Sequence, residues 1–322
     1  MRNIRYSVEL DLHIFGDNFC LIQQDEINNY LDNKKFKDIM DKNRFNIYMI
    51  TRRPKLTFDK GSIRITNNYI KGKLNIQYGD MVTKIKYKYP TNTKKANIEV
   101  KCEFPYRVIS IFDKEKNVDH TYNSTVFYHD VCKQDRNDKG LEVLYVGQAY
   151  GKDGERNAND RIVEHKTLQR IYQECMNSYP DNEIWLLFWS FDSKFYLNAD
   201  GTSDGFAVSE GENKRHFDNI INSGISYKNI VDFAEASLIN YFKPMYNKDY
   251  VNKFPLRSQK ICKEFYKADL RCILVEVDTT NLKIPLWSPF RHPEYKHLNE
   301  IKLDTNSGMH FFDAFLRMIG KK

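Results

Sequence analysis

Residues 144–165 read LYVGQAYGKDGERNANDRIVEH. An apolar, strand-like run ends at Gly147, a polar glycine-rich loop follows, and a helix opens at Arg161 behind Asp160, a residue type suited to an N-cap. A Walker-type phosphate cradle needs GxxxxGK[ST], so that the hydroxyl can reach magnesium. Here Gly147 and Gly151 have only three residues between them, and Lys152 is followed by Asp153. A GxGxxG fingerprint is absent as well, so this is not a nucleotide cradle.

On either side of the loop the pattern is strand, strand, helix, strand, helix. TVFYHDV (125–131) and LEVLYVG (141–147) are strand-like, and RIVEHKTLQRIYQECMN (161–177) is an amphipathic helix. EIWLLFWSF (183–191) follows as a continuous apolar strand of the kind buried on both faces. A Gly/Asp/Ser/Asn-rich insertion at about 196–228 precedes a helix from about Asn229 to Phe242, which Lys243-Pro244 stops. Ahead of this region, FNIYMITRR, GSIRITNN, GKLNIQY, TKIKYKY and ANIEVKCEF spell a β-rich unit, with one amphipathic helix near Gln24 to Asp41. Behind it come another strand, RCILVEVD (271–278), and a final helix near Met309 to Ile319. The expectation is an α+β chain in three parts: a β-rich basic accessory domain over 1–120, a central module over 121–256, and an α/β extension over 257–322 that packs on the module.

The six cysteines are scattered, without CxxC pairs or finger-like histidine spacing, so disulfide scaffolds and structural zinc are not indicated. No run of about 18 apolar residues is present, and the N-terminal stretch alternates like a strand rather than a signal peptide. These features predict a cytoplasmic protein without a membrane partner. The net charge is +7, and residues 51–100 hold twelve Lys/Arg against three Asp/Glu. In TKIKYKYP, Lys84, Lys86 and Lys88 alternate with Ile85, Tyr87 and Tyr89, so a strand sends the three lysines to one face. Such a row suits a phosphate backbone, or else is a solvated face or an edge guarded by lysines.

Five spaced features carry the chemistry. Tyr128 lies on one expected strand and Tyr145-Val146-Gly147 on the next, while Arg161 and His165 stand four apart on one helix face. Glu235 sits in EASLINYFKPMYN, with Asn247 beyond the proline. In order and spacing this resembles the GIY-YIG nuclease superfamily, over residues 125–250. The matches are Tyr128, Tyr145, Gly147, Arg161, His165, Glu235, Leu238, Ile239, Pro244 and Asn247, with Val126-Phe127-Tyr128 standing where Gly-Ile-Tyr is usual. The implied fold is a small β-sheet flanked by helices.

The resemblance implies a metal-dependent endonuclease that hydrolyses phosphodiester bonds of DNA, in restriction or defence against invading DNA. Glu235 would hold Mg²⁺, with Mn²⁺ as a substitute, since this ion keeps most of its water and needs few protein ligands. Arg161 would meet a phosphate, and Tyr145 or Tyr128 would serve as general base. His165 would share proton transfer, and Asn247 would orient backbone or glutamate. Lys84, Lys86, Lys88, Lys152, Arg156 and Lys166 are the expected nucleic-acid contacts, and a homodimer would cut both strands. Taken singly, each residue has a plainer role: strand packing for the tyrosines, a surface ion pair for Arg161, an exposed helix carboxylate for Glu235. The rival functions are a non-catalytic nucleic-acid-binding protein on a degenerate nuclease fold, and a nuclease acting on RNA or on branched structures.

Overall fold

The computed structural model describes residues 9–23, 38, 42–132, 138–148, 166–198 and 209–303. Its strands are β1 (Glu9–Gln23), β2 (Ile47–Pro54), β3 (Leu56–Phe58), β4 (Arg64–Thr66), β5 (Tyr69–Tyr78), β6 (Met81–Pro90), β7 (Ile98–Lys101), β8 (Val108–Asp113), β9 (Val118–Asn123), β10 (Leu141–Gln148), β11 (Asn182–Asn198), β12 (Cys272–Asp278), β13 (Leu286–Ser288), β14 (Arg291–Glu294) and β15 (Lys296–Lys302). The helices are α1 (Ser124–Val131), α2 (Lys166–Ser178), α3 (Glu210–Ile221), α4 (Tyr227–Phe242) and α5 (Lys263–Lys267).

The framework is an eight-stranded sheet in the order β14-β13-β10-β2-β11-β1-β12-β15. Its two edge strands are consecutive in the chain, with only Tyr295 between them, so the sheet curls until its edges nearly meet. His297 on β15 secures the closure by donating Nε2–H to the Leu286 carbonyl of β13 at 2.9 Å. Burial lowers the pKa of this imidazole, which keeps it neutral and leaves Nδ1 to accept from the Tyr241 hydroxyl at 3.3 Å.

Helix α4 fills the concave side. Nine of its residues are buried, including Phe233, Leu238, Ile239 and Phe242, as befits a helix with apolar side chains almost all round. Ser226 and Asn229 form a capping box at its start, and Lys243 in the left-handed region (φ 48°) ends it before Pro244. A cap is worth about 1 kcal/mol, whereas each large buried side chain is worth about 1.5–3 kcal/mol. Packing inside the curl therefore dominates the stability of this helix. On the convex side α2 lays Leu168, Ile171 and Cys175, spaced as one helix face, over Tyr48, Ile50, Leu144, Leu186 and Phe188.

The sheet is larger than the small one the sequence suggested, and the mixed helix-and-strand class stands. The three-part division does not follow the sheets. β1 and β2 are interior strands of the framework, and β12 to β15 complete both of its edges. The basic β-rich unit is instead an insertion, residues 55–140, between the neighbouring antiparallel strands β2 and β10. It comprises the sheet β3-β5-β4 with β6 on β5, the sheet β7-β8-β9, and α1, around a core that includes Phe58, Leu74, Tyr87, Ile109 and Phe127.

Two elements differ in type from the sequence expectation. TVFYHDV is helical, because the Asn123 side chain accepts from Thr125 N and caps α1, whose Phe127 and Tyr128 are then drawn into the insertion core. The 196–228 insertion contains α3, opened by a Ser209/Glu212 capping box. The expected helix at 24–41 and the C-terminal helix at 309–319 lie outside the described residues, apart from the helical Asp38.

The insertion is fastened to the framework by buried polar groups. Arg53 of β2 donates to His129 Nε2 at 2.7 Å and to Asp138 Oδ1 at 3.4 Å. Glu183 of β11 accepts from Thr125 Oγ1 (2.9 Å), Trp185 Nε1 (3.0 Å) and Gln23 Nε2 (3.1 Å). Burial raises the Glu183 pKa, and burial first and the Arg53 guanidinium second push that of His129 down to about 2.

Candidate active site at the end of strands β2 and β10

β2 and β10 run antiparallel with Gly147 opposite Tyr48, Val146 opposite Met49 and Tyr145 opposite Ile50. The register shifts between Val143 and Tyr145. This bulge turns the successive residues Leu144 and Tyr145 toward the same aromatic layer beneath α2. The rings of Tyr48 and Tyr145 lie 6.0 Å apart at 36°. Glycine is required between them, since a Cβ on residue 147 would stand 2.6 Å from Tyr145 Cε1 and 2.8 Å from the Tyr48 hydroxyl.

The outer edge of β10 pairs with β13 only at Leu141 and Glu142. Beyond that, residues following α4 take the place of a strand. Tyr246 N–H donates to the Leu144 carbonyl at 3.1 Å, and Asn247 clips Val146 twice. Its Oδ1 accepts from Val146 N–H at 2.9 Å, while its Nδ2 donates to the Val146 carbonyl at 2.8 Å. Asn247 thus fixes the strand that carries Tyr145 and Gly147 without itself presenting a reactive atom.

Next to this clip the Tyr246 hydroxyl donates to Glu174 of α2. The Arg170 guanidinium stands 5.0 Å from the centre of the Tyr246 ring and 3.6 Å from Glu174. Burial, and then Glu174, hold the Tyr246 hydroxyl well above the ordinary tyrosine range, so it is a donor and not a base. The aromatic layer therefore includes Tyr48, Tyr145 and Tyr246 beside Phe45, Phe188 and Tyr172, and Arg170 and Glu174 of α2 stand against Tyr246.

No family model, curated protein or solved structure matches this chain.

Tyr145 and Asn247 are thus brought together. Tyr128 is not part of this group: it lies on α1 in the insertion core, away from the layer that holds Tyr145, with the Arg53 guanidinium 5.8 Å from its ring centre. The tyrosine that the fold places beside Tyr145 is Tyr48, in Asn46-Ile47-Tyr48, one residue short of Gly-Ile-Tyr. That signal was present in FNIYMI. It was hidden because the insertion separates it from Tyr145.

Glu235 is half-buried on α4, which packs against the concave face, whereas the tyrosines lie on the convex face. It belongs to an acidic group: burial first, then the carboxylates of Glu235, Asp249 and Asp232, raise the pKa of Tyr250. Among the described residues no group of three or more His, Cys, Asp and Glu gathers as a metal cage. A partly hydrated Mg²⁺ needs only one or two carboxylates together with substrate oxygens. Glu235 is one half-exposed carboxylate, set on the face of the sheet opposite the tyrosine pair.

Arg161, His165, Lys152 and Arg156 lie outside the described residues. Lys166 is the first residue of α2 and is exposed, as are Lys84, Lys86 and Lys88 on β6. The six cysteines are free, and burial raises the thiol pKa of Cys132 and Cys272 to about 12, so these two are core residues rather than nucleophiles. No helix among the described residues is long and apolar enough to cross a membrane.

Proposed function

We propose that this chain is a metal-dependent endonuclease that hydrolyses phosphodiester bonds of DNA, with its reactive centre at the Tyr48/Tyr145 end of β2 and β10. The observation that carries the reading is the tyrosine pair on neighbouring antiparallel strands, closed by a glycine that admits no side chain and braced by Asn247. These are parts of the GIY-YIG pattern, with Tyr48 standing on the strand beside Tyr145 where Tyr128 was expected.

In this reading Tyr145, the partly exposed member of the pair, takes the proton of the attacking water, and the fully buried Tyr48 packs against it and fixes its ring. Arg161 and His165, preceding α2 in sequence, meet the phosphate and share the proton transfer. Mg²⁺ held by Glu235 would neutralise charge on the phosphoryl oxygens. Asn247 holds Val146, and through it the strand on which Tyr145 stands. Restriction or defence is the biology that the resemblance suggests.

Plasmid cleavage in Mg²⁺ tests the proposal, with Tyr48→Phe, Tyr145→Phe and Glu235→Ala compared with wild type. Loss of cutting by about 10²-fold or more in Glu235→Ala and in at least one tyrosine variant is expected. Cutting that survives Glu235→Ala, or no cutting of DNA by wild type, overturns it. One observation favours a second reading, a non-catalytic nucleic-acid-binding protein: the helix bearing Glu235 and the tyrosine pair occupy opposite faces of the sheet. Retained binding without cutting by wild type is its signature.

A further inference from the structure

β6 is the outermost strand of its sheet, and its register with β5 sets like charges directly opposite one another. Lys71 faces Lys88 and Lys73 faces Lys86, while on the other side of β5 Arg64 faces Lys71. Directly paired residues share a face, and Lys84 continues the row opposite Asn75. Six cations, Arg64, Lys71, Lys73, Lys84, Lys86 and Lys88, therefore occupy one face of a three-stranded surface. The other face, with Ile70, Leu74 and Tyr87, is the insertion core.

Opposed like charges destabilise a sheet. Here they are left largely uncompensated: Lys84 is bridged to Asp59 at 3.0 Å, and among the described residues no carboxylate lies within ion-pair distance of Lys71, Lys73, Lys86 or Lys88. Cations two residues apart on a strand are about 6.8 Å apart, and rows are about 4.8 Å apart, so the patch is a two-dimensional array rather than a single line of charge. The aromatic side chain on this face, Tyr69, is covered by the Lys88 ammonium at 3.7 Å from its centre, so it offers no free platform for stacking a base. A single-strand binder needs such platforms. Lysines, as point charges without a planar fork, hold phosphates without reading bases.

We infer that this face of the insertion is a sequence-independent anchor for the phosphate backbone of duplex DNA. It rests on the nucleic-acid reading above and deepens it by naming the form of the substrate. β2 runs about 20 Å from Tyr48 to the point where the insertion begins, so the anchor stands on a different part of the molecule from the proposed centre.

The test is binding of the full chain to a labelled duplex of about 20 base pairs in EDTA, from about 50 to 200 mM salt. Wild type is compared with the triple variant Lys73→Gln/Lys86→Gln/Lys88→Gln and with a control, Lys263→Gln/Lys267→Gln. Each phosphate contact contributes about −0.9 to the slope of log K against log salt. The triple variant should therefore lose about 2.7 from the slope, and the control almost nothing. A slope unchanged in the triple variant overturns the anchor. So does tighter binding of single-stranded DNA or duplex RNA than of duplex DNA, or binding of phosphatidylserine vesicles in place of duplex. Because no metal is present, the two proposals fail separately. A chain that cuts with an unaltered salt slope lacks the anchor, and one that binds through these lysines yet never cuts lacks the proposed activity.

Discussion

The two ends of the β2/β10 pair are built on different physics. At one end Tyr48, Tyr145 and Gly147 meet ring against backbone, with contacts that a single methyl group would violate. At the other, where the insertion leaves the sheet, Arg53, His129 and Asp138 form a buried ionic knot. The first end is specified by shape and the second by charge. Steric substitutions should therefore register at the tyrosine end, and charge, pH and salt at the insertion end.

The largest effect on stability is expected at the knot. Arg53→Met keeps most of the volume but leaves Asp138 buried without its guanidinium partner and removes a neighbouring cation from Glu183. Breaking a buried pair from one side costs about 3–5 kcal/mol. Urea denaturation at neutral pH should show a loss of that size, and a loss below about 1 kcal/mol would mean that the knot is dispensable.

Gly147→Ala comes next. Its Cβ has no room beside Tyr48 and Tyr145, and overpacking of this kind costs about 1–3 kcal/mol. If the tyrosine pair is the reactive centre, the same variant should lose DNA cleavage well beyond its loss of stability, because the rings must move apart. An Ala variant that is destabilised yet cuts at the wild-type rate would separate the glycine from the chemistry.

The knot also makes a pH prediction. His129 titrates at about 6.5 when unfolded and at about 2 when folded, because burial and Arg53 exclude its charged form. Below about pH 6.5 the unfolded chain binds a proton that the folded chain refuses, so stability falls by about 1.4 kcal/mol per pH unit as the pH drops toward the folded value. The raised pKa of Glu183 acts in the opposite direction, its destabilisation being relieved as the pH falls. Comparing variant with wild type isolates the histidine. His129→Gln keeps an acceptor for Arg53 and has no such proton, so its denaturation midpoints should fall less between about pH 7 and pH 5.5 than those of wild type. Parallel pH profiles would show that His129 carries no acid sensitivity.

The difference between the two ends also explains what was legible in the sequence. β11, α4 and β12 were visible because local periodicity decides them: EIWLLFWSF has no polar interruption before its last turn of residues, and α4 runs into Lys243-Pro244. The facing of Lys84, Lys86 and Lys88 was visible for the same reason, since a strand alternates. Tyr48 was not found, because its partnership with Tyr145 is set by sheet pairing across the insertion. Tyr128 was misplaced because VFY has strand propensity, and only the Asn123 cap and the surrounding core make it helical. Lys71 and Lys73 were missed as members of the basic face because cross-strand register is not written in either strand alone.

The smallest predicted effect tests the tyrosine end most selectively. Asn247→Asp preserves shape and the acceptor for Val146 N–H, but it replaces the donor to the Val146 carbonyl with a second oxygen. Losing one hydrogen bond and leaving that carbonyl unsatisfied costs about 1–3 kcal/mol, and the half-exposed setting of Asn247 favours the lower end. If the proposed centre is right, cleavage falls through loosened positioning of Tyr145, so a readout that stability alone would not move is needed. The turnover rate at saturating DNA should drop several-fold, while binding of duplex in EDTA stays at the wild-type level. Binding that weakens in parallel would place the DNA contact at the clip itself and remove the distinction between the proposed anchor and the proposed centre.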